Sequence, residues 1–113
     1  MRAARWDTVW EQGGLWRVVL RWRIGLGEDV VLGEFADPCT MELFDADGTV
    51  MLTVPGELAN DDHDLVLART GAQTEATAPG QWRHRVLVTD PELDDLRVLL
   101  RGYVTVDPPE AGL

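Results

Sequence analysis

Seven arginines stand at alternating positions in three stretches of the chain, and guanidinium groups suit bidentate pairing with carboxylates. Arg17, Arg21 and Arg23 fall in LWRVVLRWRI (15–24), Arg83 and Arg85 in QWRHRVLV (81–88), and Arg97 and Arg101 in DLRVLLRGYVTV (95–106). Successive side chains of a strand point to opposite faces, so each stretch has a cationic face and an apolar face. If the three strands lie in one sheet, all seven arginines share its outer surface. The strands contain almost no acids, so carboxylates from elsewhere are expected to neutralise them. Trp6 and Trp10 precede the first strand, where they either staple an N-terminal arm to the domain or anchor it in a partner, as tryptophan often does at hot spots. The expected partner interface is therefore Trp6, Trp10, Arg17, Arg21, Arg23, Arg83, Arg85, Arg97 and Arg101.

Other reactive residue types lead to blander expectations. NDDHD (60–64) places His63 among Asp61, Asp62 and Asp64. Its contiguous spacing and the lack of a turn glycine do not match a calcium loop, so a solvated loop is expected. DADG (45–48) opens like a calcium-binding loop, but Thr49 stands where a third acidic ligand belongs, and a hairpin turn is expected. His84 shares a face with Trp82, Val86 and Val88, the place of a core or interface histidine. No serine occurs in the sequence, which excludes a serine triad. Cys39 alternates with Met41 and Leu43, the pattern of a packed, inert thiol. Asp94 and Asp95 fall in a turn, and there is no glycine-rich phosphate loop. No catalytic residue, cofactor, metal or small-molecule substrate is expected, and the chain does not read as an enzyme.

The elements that must position the arginines are strands. The 113 residues fit one domain, and the formal net charge of −10 is built from ten arginines, no lysine and twenty acids. Residues 1–35 are neutral, with five Arg and five acids; 36–80 carry one Arg and nine acids, a net of −8; 81–113 carry four Arg and six acids, a net of −2. The acidic excess argues against nucleic acid, whose affinity rests on cations against phosphates. The division of charge points to charge-guided association. No apolar run is long enough for a membrane span, and the first ten residues lack the core of a secretory signal. One cysteine excludes an internal disulfide and agrees with synthesis in a reducing cytoplasm.

After residues 15–24 come a turn-like IGLGED, the apolar run VVLGEF and a hairpin over CTMELFDADGTVMLTV, whose Asp-Gly supplies tight-turn geometry. PGELANDDHD reads as a loop, DLVLART as a strand and GAQTEATAPG as a polar loop. Two long strands joined by PELDD follow, and the prolines of DPPEAGL stop the last one. This spacing predicts an all-β, immunoglobulin-like antiparallel β-sandwich of about seven strands with an N-terminal arm. The arm covers 1–14, the sandwich 15–107 and a tail 108–113.

QWRHRVLVTDPELDDLRVLLRGYVTVDPP resembles the closing hairpin of small β-sandwich proteins of long-tailed bacteriophages: an aromatic-rich strand, a "TD" turn, and a strand ending in V-x-V-x-PP. FDADGTVML and a first strand of W-x-V-x-L-x-W type match the same pattern. Over residues 8–107 the chain is similar to N-terminal domains of baseplate proteins and to tail-fibre connector proteins of actinobacterial phages, and its all-arginine composition agrees with a GC-rich host. The resemblance implies a structural virion protein, assembled in the bacterial cytoplasm, that binds other virion proteins in multiple copies. It brings no catalytic residues. Tail tip, baseplate or fibre attachment is the leading place; head decoration, minor capsid or head–tail connector protein is the alternative. A host-surface carbohydrate-binding module is a further alternative, in which Trp82, Tyr103 and Trp10 supply the aromatics.

Overall fold

A computed structural model describes residues 4–24, 28, 31–90 and 95–109. In chain order the strands are β1 (Ala4–Arg5), β2 (Thr8–Glu11), β3 (Trp16–Arg21), β4 (Arg23–Ile24), β5 (Val31–Leu32), β6 (Ala36–Phe44), β7 (Val50–Pro55), β8 (Glu57–Ala59), β9 (Asp64–Arg69), β10 (Gly80–Asp90) and β11 (Asp95–Asp107). A short helix, α1 (Gly71–Glu75), lies between β9 and β10. The larger sheet runs β1-β11-β10-β6-β7, with β2 also on β11; the smaller runs β3-β9-β8, and β4 and β5 form a ribbon. The protein is an all-β sandwich of two packed sheets.

Alternation builds the core. Met41 and Leu43 of β6, Val86 of β10, and Val104 and Val106 of β11 face inward from the larger sheet, against Trp16, Leu65 and Leu67 from the smaller. Each such burial contributes roughly 1.5–3 kcal/mol. Cys39 is buried in phase with Met41, as its spacing suggests, and burial pushes its thiol pKa up. Trp22 and Trp82 pack on the core half-buried.

Three expectations are corrected. First, β3 pairs antiparallel with β9, from Trp16↔Arg69 to Arg21↔Asp64, and not with β10 or β11. Alternation fixes which way a side chain points but carries no information about the neighbouring strand. Second, the N-terminal arm is part of the sheet. β1 and β2 run parallel to β11, with Arg5 opposite Arg101 and Trp10 opposite Val106. Trp10 is fully buried, its ring centroid 5.2 Å from that of Trp16. It therefore staples the N-terminal segment to the domain and is removed from the candidate interface. Third, GAQTEATAPG is not all loop. Thr70 and Gln73 form a reciprocal capping box that starts α1, satisfying two otherwise orphan donors. Buried Thr74 then donates from Oγ1 to the Gly14 carbonyl (2.8 Å), docking the helix on the turn after β2.

Both acidic turns hold their own backbone. The Asp45 carboxylate accepts from the N–H groups of Asp47 (2.9 Å) and Thr49 (3.0 Å), closing the β6–β7 hairpin around Gly48 at φ +85°. Asn60, Asp61 and Asp62 all take left-handed backbone, with φ of 53°, 53° and 66°. Such geometry is costly for most residues and tolerated best by Asn and Asp. The PELDD turn, most of GLGED (with Glu28 alone described) and the end of the tail lie outside the described residues.

Candidate functional site: an arginine row on the larger sheet

The registers of β1, β11, β10 and β6 put four charged residues in one line across the outer face. Arg5 lies opposite Arg101, Arg101 opposite Arg85, and Arg85 opposite Glu42. Neighbouring strands are about 4.8 Å apart, and like charges directly opposite one another destabilise a sheet. The next line along the strands is Tyr103, Arg83 and Phe44. All of these residues except Glu42 border an open groove of about 560 Å³ that also reaches His84 and Gly102.

Each guanidinium but one has a local anchor. Arg85 donates to Glu42 at 2.8 Å. Arg5 pairs with Asp7 at 3.2 Å, and Arg83 donates to the Ala46 carbonyl at 3.0 Å. Arg83 and Arg85 both lie over the Phe44 ring (5.4 and 5.7 Å to its centroid), and Arg5 over Tyr103 (5.6 Å). Arg101, central in the row and exposed, has no counter-ion among the described residues. The face thus keeps one guanidinium uncompensated among the described residues.

The N-terminal segment completes this site. Between β1 and β2 the chain crosses directly above Gly102, where a Cβ would collide with the Trp6 carbonyl and the Asp7 carboxylate. Trp6 donates its N–H to the Arg101 carbonyl at 2.7 Å, and Asp7 accepts the Tyr103 N–H at 3.0 Å. That backbone hydrogen bond, reinforced by Arg5, holds the Asp7 carboxyl below its usual range. From below, His84 Nε2 donates to the Trp6 carbonyl at 2.6 Å while Nδ1 is buried without a partner among the described residues. Burial pushes the His84 pKa down, against the opposing effects of the Trp6 carbonyl and Asp7. His84 is a core histidine that clamps the segment carrying Arg5.

The seven sequence-selected arginines do not share this face. Arg83, Arg85 and Arg101 do. Arg17 and Arg21 lie on the smaller sheet, where Arg21 pairs with Asp64 at 2.8 Å; this hydrogen bond raises the Arg21 pKa and lowers that of Asp64. Arg23 belongs to the β4–β5 ribbon. Arg97 lies past a register shift at Val86/Leu87, opposite buried Val88, and pairs with Asp90 at 3.3 Å. The bulge puts it on the opposite face from Arg101. Arg21, Arg85 and Arg97 thus find an acid within the chain, where the sequence reading looked to the acidic segment of a neighbouring copy or to another protein. Trp6 is half-buried between the Trp16 ring (6.4 Å) and His84 (5.5 Å), so it also packs within the chain.

Sequence reasoning missed Arg5 and Phe44. Phe44 was readable, because it keeps phase with Glu42 on the outward side of β6. Arg5 was not, since a two-residue strand shows no period. The Asn60–Asp64 loop binds its own surroundings: the His63 N–H donates to the Asn60 carbonyl (3.1 Å), and Nδ1 lies 3.1 Å from the Gly33 carbonyl. Among the described residues, no group of three or more His, Cys, Asp or Glu is placed to hold a metal ion. Their one helix is too short to cross a membrane. No protein-family model matches the chain, and no curated protein matches its sequence.

Proposed function

We propose that the chain is a non-enzymatic docking protein whose arginine row receives an acidic segment of a protein partner. The observation that carries this reading is Arg101, set between Arg5 and Arg85 and without a counter-ion among the described residues, in a protein of net charge −10. The ring contacts favour protein over carbohydrate. A sugar needs a free aromatic face, whereas guanidinium groups already lie over Phe44 and Tyr103, and Trp10 is fully buried.

The setting we propose is a bacteriophage particle, with the domain as a structural adaptor in the tail tip, baseplate or fibre attachment. Support comes from the sequence resemblance and from the β-sandwich fold. Its strand order, β11-β10-β6-β7 facing β3-β9-β8, also supports an immunoglobulin-like arrangement of variable type. The test is assembly with Arg83→Gln, Arg85→Gln and Arg101→Gln combined. Incorporation into particles should fall at least tenfold, as expected for loss of interfacial charge pairs worth about 2–5 kcal/mol, while the isolated domain stays folded. Unchanged incorporation would overturn the reading.

A further inference from the structure

The docking reading leaves the acidic partner unnamed, and charge complementarity within the chain itself identifies one. We infer that the arginine row binds the Asn60–Asp62 turn of a second copy. Residues 36–80 carry a net charge of −8, so the chain holds its own excess of carboxylates. Asp61 and Asp62 are both exposed, and neither carboxylate has a partner among the described residues.

The turn is a firm one. Besides the His63 bonds, the Phe35 N–H donates to the Asp62 carbonyl at 2.8 Å, fixing the turn to the segment before β6. Its left-handed backbone presents two adjacent carboxylates from a position already ordered, so docking need not order a floppy loop. By contrast, the Asp45 carboxylate is engaged by its own turn, Asp64 by Arg21 and Glu42 by Arg85. None of the residues lining the groove comes from the Asn60–Asp62 turn or from the Gly33–Phe35 segment that holds it. The two surfaces are distinct patches, so the contact joins one copy's turn to another's groove.

Such an interface is heterologous, and repetition of it gives rings or open arrays. Net charge opposes close approach of copies, but at about 0.15 M salt repulsion is screened beyond roughly 8 Å while contacting ion pairs persist. Paired carboxylates over Arg101 and its neighbours would neutralise the row that the chain itself leaves positive.

This inference rests on the docking reading, and the experiment separates the two. Sedimentation of the wild-type chain at about 0.15 M salt should show concentration-dependent association. Arg101→Gln alone, and Asp61→Asn with Asp62→Asn alone, should each weaken it by roughly tenfold or more. Asparagine tolerates left-handed backbone, so the turn itself is preserved. Mixing the two variants should restore a complex that stops at one of each, because one intact groove then meets one intact turn. That rescue also shows both variants to be folded. A wild-type chain that stays monomeric, or association that survives either variant, overturns the second copy as partner. If particle incorporation is still lost on removing the arginines, the docking reading stands with a different acidic protein in the groove.

Discussion

The outer faces of the two sheets began as the same pattern in sequence and ended with different charge pairing. On the smaller sheet Arg21 lies opposite Asp64, and the pair neutralises itself. On the larger sheet Arg85 lies opposite Arg101, which lies opposite Arg5, with Glu42 closing the line. Alternation gives an arginine its face; only the strand beside it decides whether it is neutralised or left available.

The largest effect should come from removing the strap that makes the faces differ. Gly102→Val places side-chain atoms where the Trp6 carbonyl passes, so β1 should detach and Arg5 leave the row. A loss of about 3 kcal/mol in urea unfolding is expected, with increased hydrogen exchange at the Trp6 and Tyr103 amides. An unchanged midpoint would mean that the N-terminal segment does not cross there.

Glu42 and Arg101 should act with opposite signs. Glu42→Gln leaves Arg85 without its acid while it faces Arg101, and should cost about 0.5–1 kcal/mol. Arg101→Gln relieves repulsion and should be neutral or stabilising by a few tenths of a kcal/mol, roughly. In a double-mutant cycle Arg101→Gln should gain more when Glu42 is already replaced. Equal destabilisation by both would dissolve the contrast between the sheets. On the smaller sheet, Asp64→Asn should destabilise, and Arg21→Gln should add little once Asp64 is gone.

Acid should test the clamp under the row. His84 has a lowered pKa when folded, so the unfolded chain takes up its proton first. Stability is therefore retained above the ordinary histidine value of 6.5 and should fall as pH drops below it toward the folded value. His84→Gln, which keeps a donor for the Trp6 carbonyl, should flatten that slope in unfolding measured from pH 7.5 to 5. The smallest change is expected from Asp64, whose lowered pKa shifts its loss of stabilisation to more acidic pH. Protonation through that lowered value should abolish the Arg21 pair, seen as an Asp64→Asn variant insensitive to pH there.

Much of the sandwich was legible because its signals are local. The β6–β7 hairpin follows from DADG, and the burial of Cys39, Met41, Leu43 and His84 follows from alternation. The capping box at Thr70 and Gln73 was equally local and could have been read from T-x-x-Q. Arg69, in phase with Leu65 and Leu67, likewise signalled a buried arginine; it lies 9% exposed, 5.7 Å from the Trp10 ring. The candidate site was legible only in part. Arg83 and Arg85 kept their alternation, but the bulge after Val86 moved Arg97 to the other face. Four residues, TVWE, were too few to reveal the phase of Trp10. The row itself depends on pairings between distant strands, which no local pattern encodes.

The parallel pairing of the first strands with the last has a consequence for synthesis. Asp7 and Tyr103 are separated by 96 positions in sequence, and Arg5 meets Arg101 across the same span. Non-local pairings form slowly and only after the intervening chain exists. On the ribosome, the hairpin of β6 and β7 can close early, but β1 and β2 must wait until β11 has emerged. The arginine row is then among the last surfaces to appear, so a nascent chain does not display it before the sandwich is complete.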